Sequence, residues 1–258
     1  MALAIATNNA ALNAAASASS VNRDMETSMA RLSSGKRINS ASDDAAGVAI
    51  SSRLSAEIRG TDQAIRNSLD GQALIDTAEG AHKEIENILQ RMREVTIQAA
   101  NDTNNDQDRA NLQAEIEAMT TEIDRIAGTT TWAGADLMED ATTTFSFQVG
   151  AATGAKNQIS VTIETMNATG LGVGTGTASV VDVTDATKAN TGTGLIDAAI
   201  EDVNIQRSKL GAVSNRLNHT VNNLTNISSN LSAAKGGIED ADFALETTNL
   251  AKNQILQQ

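Results

Sequence analysis

The chain has 258 residues, of which 40% are hydrophobic but only 2% aromatic, and its formal net charge at pH 7 is −13. It contains no cysteine, which excludes disulfides, thiolate nucleophiles and zinc–thiolate sites. The acidic balance argues against nucleic acids and anionic membranes as partners. Because large aromatic side chains usually anchor compact cores and ligand pockets, their scarcity favours a fold held by long aliphatic seams.

The N-terminal stretch is mildly apolar, but its first basic residue is Arg23. A secretory signal peptide needs positive charge before its apolar segment, so none is predicted. The chain also lacks a run of about 18 apolar residues that could span a bilayer. The composition therefore indicates a cytosolic protein, or one that is exported without a cleaved signal peptide.

The segment RINSASDDAAGVAI, residues 37–50, places two adjacent acids before an apolar run. We expect a helix to begin here, capped by Ser40 or Ser42, with Asp43 and Asp44 in its first turn, where negative charge offsets the helix dipole. A metal or catalytic pair would need further ligands, and no histidine or cysteine lies nearby in sequence. The capping interpretation is therefore favoured.

From Gly47 to Asn101 the pattern is helical, with apolar residues spaced three and four apart as in a coiled-coil seam. The clearest members of this seam are Ile85, Ile88, Met92 and Val95. Polar turn residues follow at 101–108, and a second apolar stripe predicts another helix that ends near Gly128. We expect two antiparallel helices joined by a polar turn.

The last third of the chain repeats this pattern more strictly. Apolar residues fall seven apart at Val203, Leu210, Leu217, Leu224 and Leu231. A neighbouring row is partly polar and includes Arg207. The repeat predicts a helix of roughly 35 residues, far longer than the average helix of a globular protein, and such a helix needs partner helices along its length.

The middle of the chain has a different sequence pattern. Residues 145–152 and 157–166 alternate between apolar and polar, with glycines near the turn, which predicts a β-hairpin. Residues 167–194 are rich in Gly and Thr and are expected to form a surface loop or short strands. The predicted fold is mainly α: long antiparallel helices from the N- and C-terminal segments form a coiled-coil bundle with a small β-hairpin insert.

Motifs for catalysis are scarce. The two histidines, His82 and His219, both lie in predicted helices. A pairing of His82 with Glu86 is an open alternative, but the sequence contains no HExxH motif, nucleophile elbow or phosphate loop. We predict that the protein is not an enzyme and uses no metal and no cofactor.

Several stretches resemble bacterial flagellins, in the family's order and at both ends of the chain. They are RLSSGKRINSASDDAAGVAISSRL (31–54), ILQRMREVTIQAANDTNNDQDR (88–109), LQAEIEAMTTEIDRIAGTTTWAG (112–134), FSFQVGA (145–151) and the run from residue 207 to residue 258. The resemblance implies a structural subunit that polymerises with copies of itself into the extracellular flagellar filament used for motility. It also implies that Ser40, Ser42, Asp43 and Asp44 lie in a connector that touches neighbouring subunits.

The resemblance also implies how the chain is divided. We expect an N-terminal inner-core helix and connector (1–40), two parts of a helical bundle (41–140 and 195–235), a small β insert with a surface loop (141–194) and a C-terminal inner-core helix (236–258). Relatives commonly carry large outer domains and usually continue past QILQQ with a short helical tail, so the resemblance implies a minimal form without the outer domains whose C-terminal tail is incomplete. The flagellar cap, hook-junction proteins and an export chaperone are the further partners that the resemblance implies.

The stretch around Arg91 has two compatible interpretations. Arg91 and Arg93 lie two apart and do not share a helix face, so both are first interpreted as solvated charges. In flagellins this stretch is similar to the surface that a vertebrate innate immune receptor recognises. The resemblance places that contact patch on Leu89, Gln90, Arg91, Val95 and Glu115, with Val95 where many strongly recognised relatives have Leu.

A second functional class stays open: a flagellin-like adhesin or ligand-binding protein at the cell surface. Such a role would need a concave or aromatic-rich face, but the insert is small and Trp132 is the only tryptophan. We expect Trp132 to pack against the fold rather than to bind a sugar. The filament subunit is therefore the favoured function.

Overall fold

The computed structural model describes residues 8–139, 142–175 and 178–258. Long helices dominate this part of the chain: α1 Asn9–Ser34, α2 Ala45–Ala99, α3 Asp106–Thr129, α4 Ala186–Glu239 and α5 Phe243–Gln257. The predicted mainly α fold is confirmed, and α3 ends one residue beyond the predicted Gly128. None of the helices described is both long and apolar enough to cross a membrane.

Polar side chains fix where the helices begin. Asn8 accepts hydrogen bonds from the backbone N–H groups of Ala10 and Ala11 at 3.1 and 3.3 Å, which caps α1. Asn105 and Asp108 form a reciprocal capping box at the start of α3. Such caps satisfy N–H groups that have no partner within the helix, and each stabilises its helix by about 1 kcal/mol.

The described strands pair as three short antiparallel hairpins: β1 Thr131–Trp132 with β2 Ala135–Asp136, β3 Thr143–Gln148 with β4 Gln158–Ile163, and β5 Gly174–Thr175 with β6 Ala178–Ser179. The β3–β4 register runs from Thr143 opposite Ile163 to Gln148 opposite Gln158. Ile159, Val161 and Ile163 are buried at alternate positions. The predicted β-hairpin is therefore confirmed.

The chain divides into two compact units. Thr61–Thr225 is called the central unit, and Met1–Gly60 with Asn226–Gln258 is called the terminal unit. Both α2 and α4 continue from one unit into the other without a break. The predicted segment borders at residues 40 and 235 fall inside the terminal unit.

Within the central unit, α2 runs antiparallel to both α3 and α4. Ion pairs that cross between α2 and α4 show this, because Glu79 contacts Arg207 whereas Arg93, later in α2, contacts Asp197. The aliphatic seams lie between these helices. Their buried members are Ile85, Met92, Val95, Val203, Leu210, Leu217 and Leu224, while Ile88 is half-buried at the edge of the core.

The segment 167–194 contributes to the core. Its expected short strands are present as β5 and β6, but the expected surface loop is wrong, because Ala168, Leu171, Val173, Val181 and Val183 are buried. The helix α4 begins at Ala186 and has 54 residues, which exceeds the predicted length. Small residues allow this close packing: a Cβ at Gly192 would lie 2.9 Å from Val181 Cγ1.

Candidate functional site

The terminal unit has very little core of its own. Among its described residues, only Ser28, Ile38, Gly47, Ser51 and Glu246 are buried. Large apolar side chains are instead exposed by 36% to 73%: Leu12, Met29, Ile50, Ile227, Phe243, Leu245, Ile255 and Leu256. Leu231, the last member of the predicted seam, is half-buried there. Such apolar exposure on helices is typical of a surface that is covered by a partner.

Within this unit, α1 and α5 lie antiparallel and are held by polar contacts. Arg31 Nη1 donates to Glu246 Oε1 at 2.8 Å, and Gln257 Nε2 donates to Asn22 Oδ1 at 2.9 Å. Glu246 is only 5% exposed, and the Arg31 guanidinium holds the pKa of its carboxyl below the usual value. The ion pair therefore fixes the register of two helices that share few apolar contacts.

The connector between α1 and α2, residues 35–44, is built differently from the prediction. The cap of α2 is Asp44 rather than Ser40 or Ser42, because Asp44 Oδ1 accepts the backbone N–H of Gly47 at 2.8 Å. The helix therefore begins at Ala45. Gly47 fits tightly beneath this cap, since a Cβ there would lie 2.6 Å from Asp44 Oδ2.

Asp43 lies before the helix and organises the connector loop. Its Oδ2 accepts the backbone N–H groups of Ser40 at 2.8 Å and Asn39 at 3.0 Å, together with the Ser40 hydroxyl at 3.1 Å. These hydrogen bonds, led by the Ser40 N–H, hold the pKa of Asp43 below its usual value. The Ser40 and Ser42 hydroxyls lie 2.6 Å apart. The two acids are thus a cap and a loop anchor.

The same connector pairs with the last residues of α4 and with the segment that follows them. The Arg37 N–H donates to the Glu239 carbonyl at 2.6 Å, and the Ala241 N–H donates to the Gly35 carbonyl at 3.0 Å. The Arg37 guanidinium also donates to the Ile238 carbonyl at 2.7 Å. These bonds join segments about 200 positions apart, and no short sequence motif predicts them.

Glu239 is the polar centre of this junction, and the sequence reasoning missed it. Its carboxylate accepts the Ser51 hydroxyl and lies 3.3 Å from Lys36 Nζ and 3.8 Å from Lys235 Nζ. The Ser51 hydrogen bond, followed by these lysines, holds the pKa of Glu239 below its usual value. Its role could be identified only from the pairing of residues 35–44 with the end of α4.

Charge is divided unequally between the two units. The terminal unit has eight Lys and Arg residues against nine Asp and Glu residues, whereas the central unit has 11 against 23. Almost all of the net charge of −13 therefore belongs to the central unit. The unit with exposed apolar helices is close to neutral, so copies can approach it with little repulsion.

The predicted recognition patch is only partly a surface. Arg91 donates to Glu115 Oε1 at 2.8 Å and to Glu94 Oε2 at 2.9 Å, and the side chains of Arg91 and Glu115 are 53% and 40% exposed. Gln90 is exposed beside them. Arg93 points to a different side and pairs with Asp197, as its spacing from Arg91 implies.

Two members of the predicted patch lie in the core. Leu89 is 0% exposed and Val95 is 1% exposed. Both follow the buried face of α2 that contacts the aliphatic core, so neither side chain is available for direct contact at the surface. The prediction that these two side chains lie in a contact surface is therefore wrong, and Gln90, Arg91 and Glu115 are the exposed members of the predicted patch.

A charged network on the α2–α4 seam was not anticipated. Arg207 Nε and Nη2 donate to Glu79 Oε1 at 2.9 and 2.8 Å, and Arg207 Nη1 donates to Glu86. Glu86 is therefore taken up by Arg207, and the alternative pairing of His82 with Glu86 is wrong, since neither ring nitrogen of His82 has a partner. The sequence signal that could have indicated this network is Arg207, because it is a charged residue at a heptad position.

An open groove of about 850 Å³ lies between α2 and α3 of the central unit. Charged side chains such as Asp76, Glu84 and Glu122 line it, with Ile88 and Ile126 at its base, and no aromatic residue is among its lining. Trp132 instead packs against the core, in agreement with its expected role. The groove thus lacks the aromatic platform that a ligand-binding role would need.

These features define a structural helical protein, with one complete core and one unit whose apolar helices require partners. Comparison with known families gives the same result. The bacterial flagellin N-terminal helical region matches residues 5–143, and the bacterial flagellin C-terminal helical region matches residues 193–258. The chain belongs to the bacterial flagellin family and is a structural subunit that polymerises into the extracellular flagellar filament.

Individual relatives agree with this assignment. The flagellin of Halalkalibacterium halodurans is 43% identical over 90% of this chain and 84% of that protein, and the flagellin of Bacillus subtilis is 43% identical over 97% and 91%. The crystal structure of Bacillus cereus flagellin matches 66% of this chain and 94% of that chain, with a TM-score of 0.52 and 33% identity. A putative flagellar hook-associated protein from Vibrio parahaemolyticus, 15% identical, matches 77% of this chain and 100% of that chain with a TM-score of 0.63, which shows a shared fold.

Proposed function

We propose that copies of this chain assemble through the terminal unit, with α1 and α5 as the contacting elements. The observation that carries the proposal is the exposure of Leu12, Phe243, Leu245, Ile255 and Leu256 on a nearly neutral unit with almost no buried apolar residues. Covering one such side chain contributes about 1.5 to 3 kcal/mol, so several contacts per subunit hold a polymer together. The open, heterologous contacts of a filament add these gains along its length.

Leu245→Gln tests this proposal. The variant removes one exposed apolar side chain from α5, and we expect the critical concentration for polymerisation to rise about ten- to a hundredfold, because about 1.4 kcal/mol corresponds to a factor of ten. Val180→Gln is the matched control, since Val180 is also exposed, at 43%, but lies in the central unit. Both variants are compared with the unchanged chain, with and without the short C-terminal tail that the resemblance implies.

Sedimentation and negative-stain imaging give the polymer fraction in each sample. Equal critical concentrations for Leu245→Gln and the unchanged chain would contradict the proposal. A rise in Val180→Gln as large as that in Leu245→Gln would contradict the assignment of the contact to the terminal unit. Unaltered circular dichroism confirms that each variant is folded.

The remaining partners are proposals that rest on the family. The flagellar cap, hook-junction proteins and an export chaperone are expected to contact the terminal unit, whose helix faces are free in the subunit. Export without a cleaved signal peptide is a further proposal that rests on the family. A secreted protein whose mature N-terminus begins some 20 residues into the chain would contradict this route.

Recognition by a vertebrate innate immune receptor is also proposed, through Gln90, Arg91 and Glu115. The exposed ion pair between Arg91 and Glu115 joins α2 to α3 and presents a fixed guanidinium at the surface of the central unit. A guanidinium held in this way loses little conformational freedom on binding. Leu89 and Val95 support the group from below rather than by direct contact.

A further inference from the structure

His82 occupies a position in the core where an aliphatic residue is expected. It continues the buried stripe of α2 formed by Ala78, Ile85, Leu89 and Met92, with alternate spacings of four and three. Its side chain is 0% exposed, and neither Nδ1 nor Nε2 has a hydrogen-bond partner in the structure. A buried polar ring without a partner carries a desolvation cost, and the cost becomes much larger if the ring is charged.

The charged groups around the ring cannot compensate for a positive imidazole. They are Glu79 on α2 and Arg207 on α4. Glu86, one helical turn beyond His82 on α2, pairs with the same Arg207. The Arg207 guanidinium donates to both carboxylates, and its positive charge offsets the negative charge that would favour a charged ring. Gln206, the buried residue beside Arg207, is uncharged and donates to the Thr162 carbonyl at 2.9 Å.

The neutral form of His82 is thus the form that fits the folded seam. Burial lowers the pKa of His82 to about 4. The negative charge of Glu79 opposes this shift, and the positive charge of Arg207 adds to it. An unfolded histidine has a pKa of about 6.5, so the unfolded chain binds more protons between these two values. Stability is therefore greatest at neutral and higher pH and falls as the pH drops from about 6.5 towards about 4.

We propose that His82 is an acid-sensitive latch on the α2–α4 seam: uptake of one proton by its ring releases the packing of these helices in the central unit. The buried, unpartnered ring and the guanidinium that occupies both neighbouring carboxylates are the structural basis of the latch. It acts within a single subunit, so it does not depend on how copies assemble.

The test compares the full chain with its His82→Leu variant, because leucine is the residue that a heptad seam ordinarily takes. Trp132, the only tryptophan, packs against the central core and reports its unfolding by fluorescence in a denaturant titration. Between pH 7 and pH 5 the folding equilibrium constant of the unchanged chain should fall roughly 20-fold more than that of His82→Leu. His219→Gln is the matched control, since His219 is an exposed histidine on α4.

A pH dependence that is the same in His82→Leu and in the unchanged chain would overturn the proposal, as would an equal effect of His219→Gln. A second measurement uses the unchanged chain and does not depend on whether a variant folds. Because the chain contains two histidines, NMR titration resolves both rings. We expect the His82 ring to titrate only in clearly more acidic solution than an unfolded histidine. A His82 ring that titrates near pH 6.5 would contradict the latch.

Discussion

At the scale of single residues, Arg91 has the most specific surface role. It bridges Glu94 on its own helix and Glu115 on α3, and its side chain stays 53% exposed. An exposed pair of this kind adds little stability, and the median contribution is about 0 to 1 kcal/mol. The ion pairs of Arg91 therefore fix the position of a charge at the surface and contribute little to holding the fold.

Arg91→Ala is predicted to weaken receptor recognition without unfolding the protein. Loss of a well-placed interface arginine commonly costs 2 kcal/mol or more, so we expect receptor-driven signalling to need about 30 times more protein. Lys209→Ala is the matched control, because Lys209 forms a similarly exposed ion pair with Glu164 in the same unit. Equal potency of Arg91→Ala and the unchanged protein in a receptor reporter assay would contradict the proposed patch.

How much of these residue roles could be predicted depends on whether the signal is local. The spacing of Arg91 and Arg93 was sufficient to place them on different faces, because helix geometry is periodic. The sequence predicts Ser40 or Ser42 as the cap of α2, whereas the observed cap is Asp44. Serine and aspartate both suit an N-cap position, so the local sequence does not separate them. The burial of Leu89 and the contacts of Glu239 depend on helices that are distant in sequence. No local pattern specifies these contacts.

At the scale of elements, the pairing of α1 with α5 depends on few groups. Ser28 is the only buried residue of α1, and Glu246 is the only buried residue of α5. With so little apolar burial, the ion pair between Arg31 and Glu246 is the main feature that specifies the register. We therefore expect the pairing of these two helices to open locally more readily than the core of the central unit.

Glu246→Gln is predicted to loosen this pair at neutral pH. Loss of a charged hydrogen bond costs about 1.5 to 3 kcal/mol, so amide protection along α5 should fall at least tenfold in hydrogen exchange at pH 7. Because Arg31 lowers the pKa of Glu246, the stabilisation is present above the ordinary carboxyl pKa and is lost as the pH falls through the lowered value. The difference between the two proteins should therefore shrink in acid.

Asp24→Asn is the control for this experiment, since Asp24 is an exposed acid on α1. It should leave the protection of α5 unchanged. A Glu246→Gln protein with the same protection as the unchanged chain at pH 7 would contradict the register-setting role of the ion pair.

Element types were predictable where the hydrophobic period is strong, as in the heptads of α4 from Val203 to Leu224. The helical structure of the first part of α4 could not be predicted in this way, because ATKANTGTGL, residues 186–195, has a composition that favours loops. Its small residues pack closely against Val181, and this tertiary contact outweighs the local propensity. The same reason explains why the composition of residues 167–194 predicts a surface loop or short strands, although several of their apolar side chains are buried.

At the scale of the whole molecule, net charge and exposed apolar surface are divided between the two units. The central unit carries almost all of the net charge of −13, and the terminal unit offers the apolar helices. In the proposed assembly, contacts through the terminal unit cover apolar surface, and we expect repulsion between the acidic central units of different copies. The unit borders at Gly60 and Thr225 lie within continuous helices, so the sequence contains no break from which this division could be predicted.

The most direct test of this account is the polymer fraction of the purified chain, measured by sedimentation across a series of NaCl and ammonium sulfate concentrations. Screening acts over about 8 Å at physiological salt, so NaCl should raise the polymer fraction. Sulfate should raise it further at equal ionic strength, because it also strengthens apolar burial. A polymer fraction that is unchanged or lower in sulfate would contradict assembly through apolar helices against the repulsion of the acidic units.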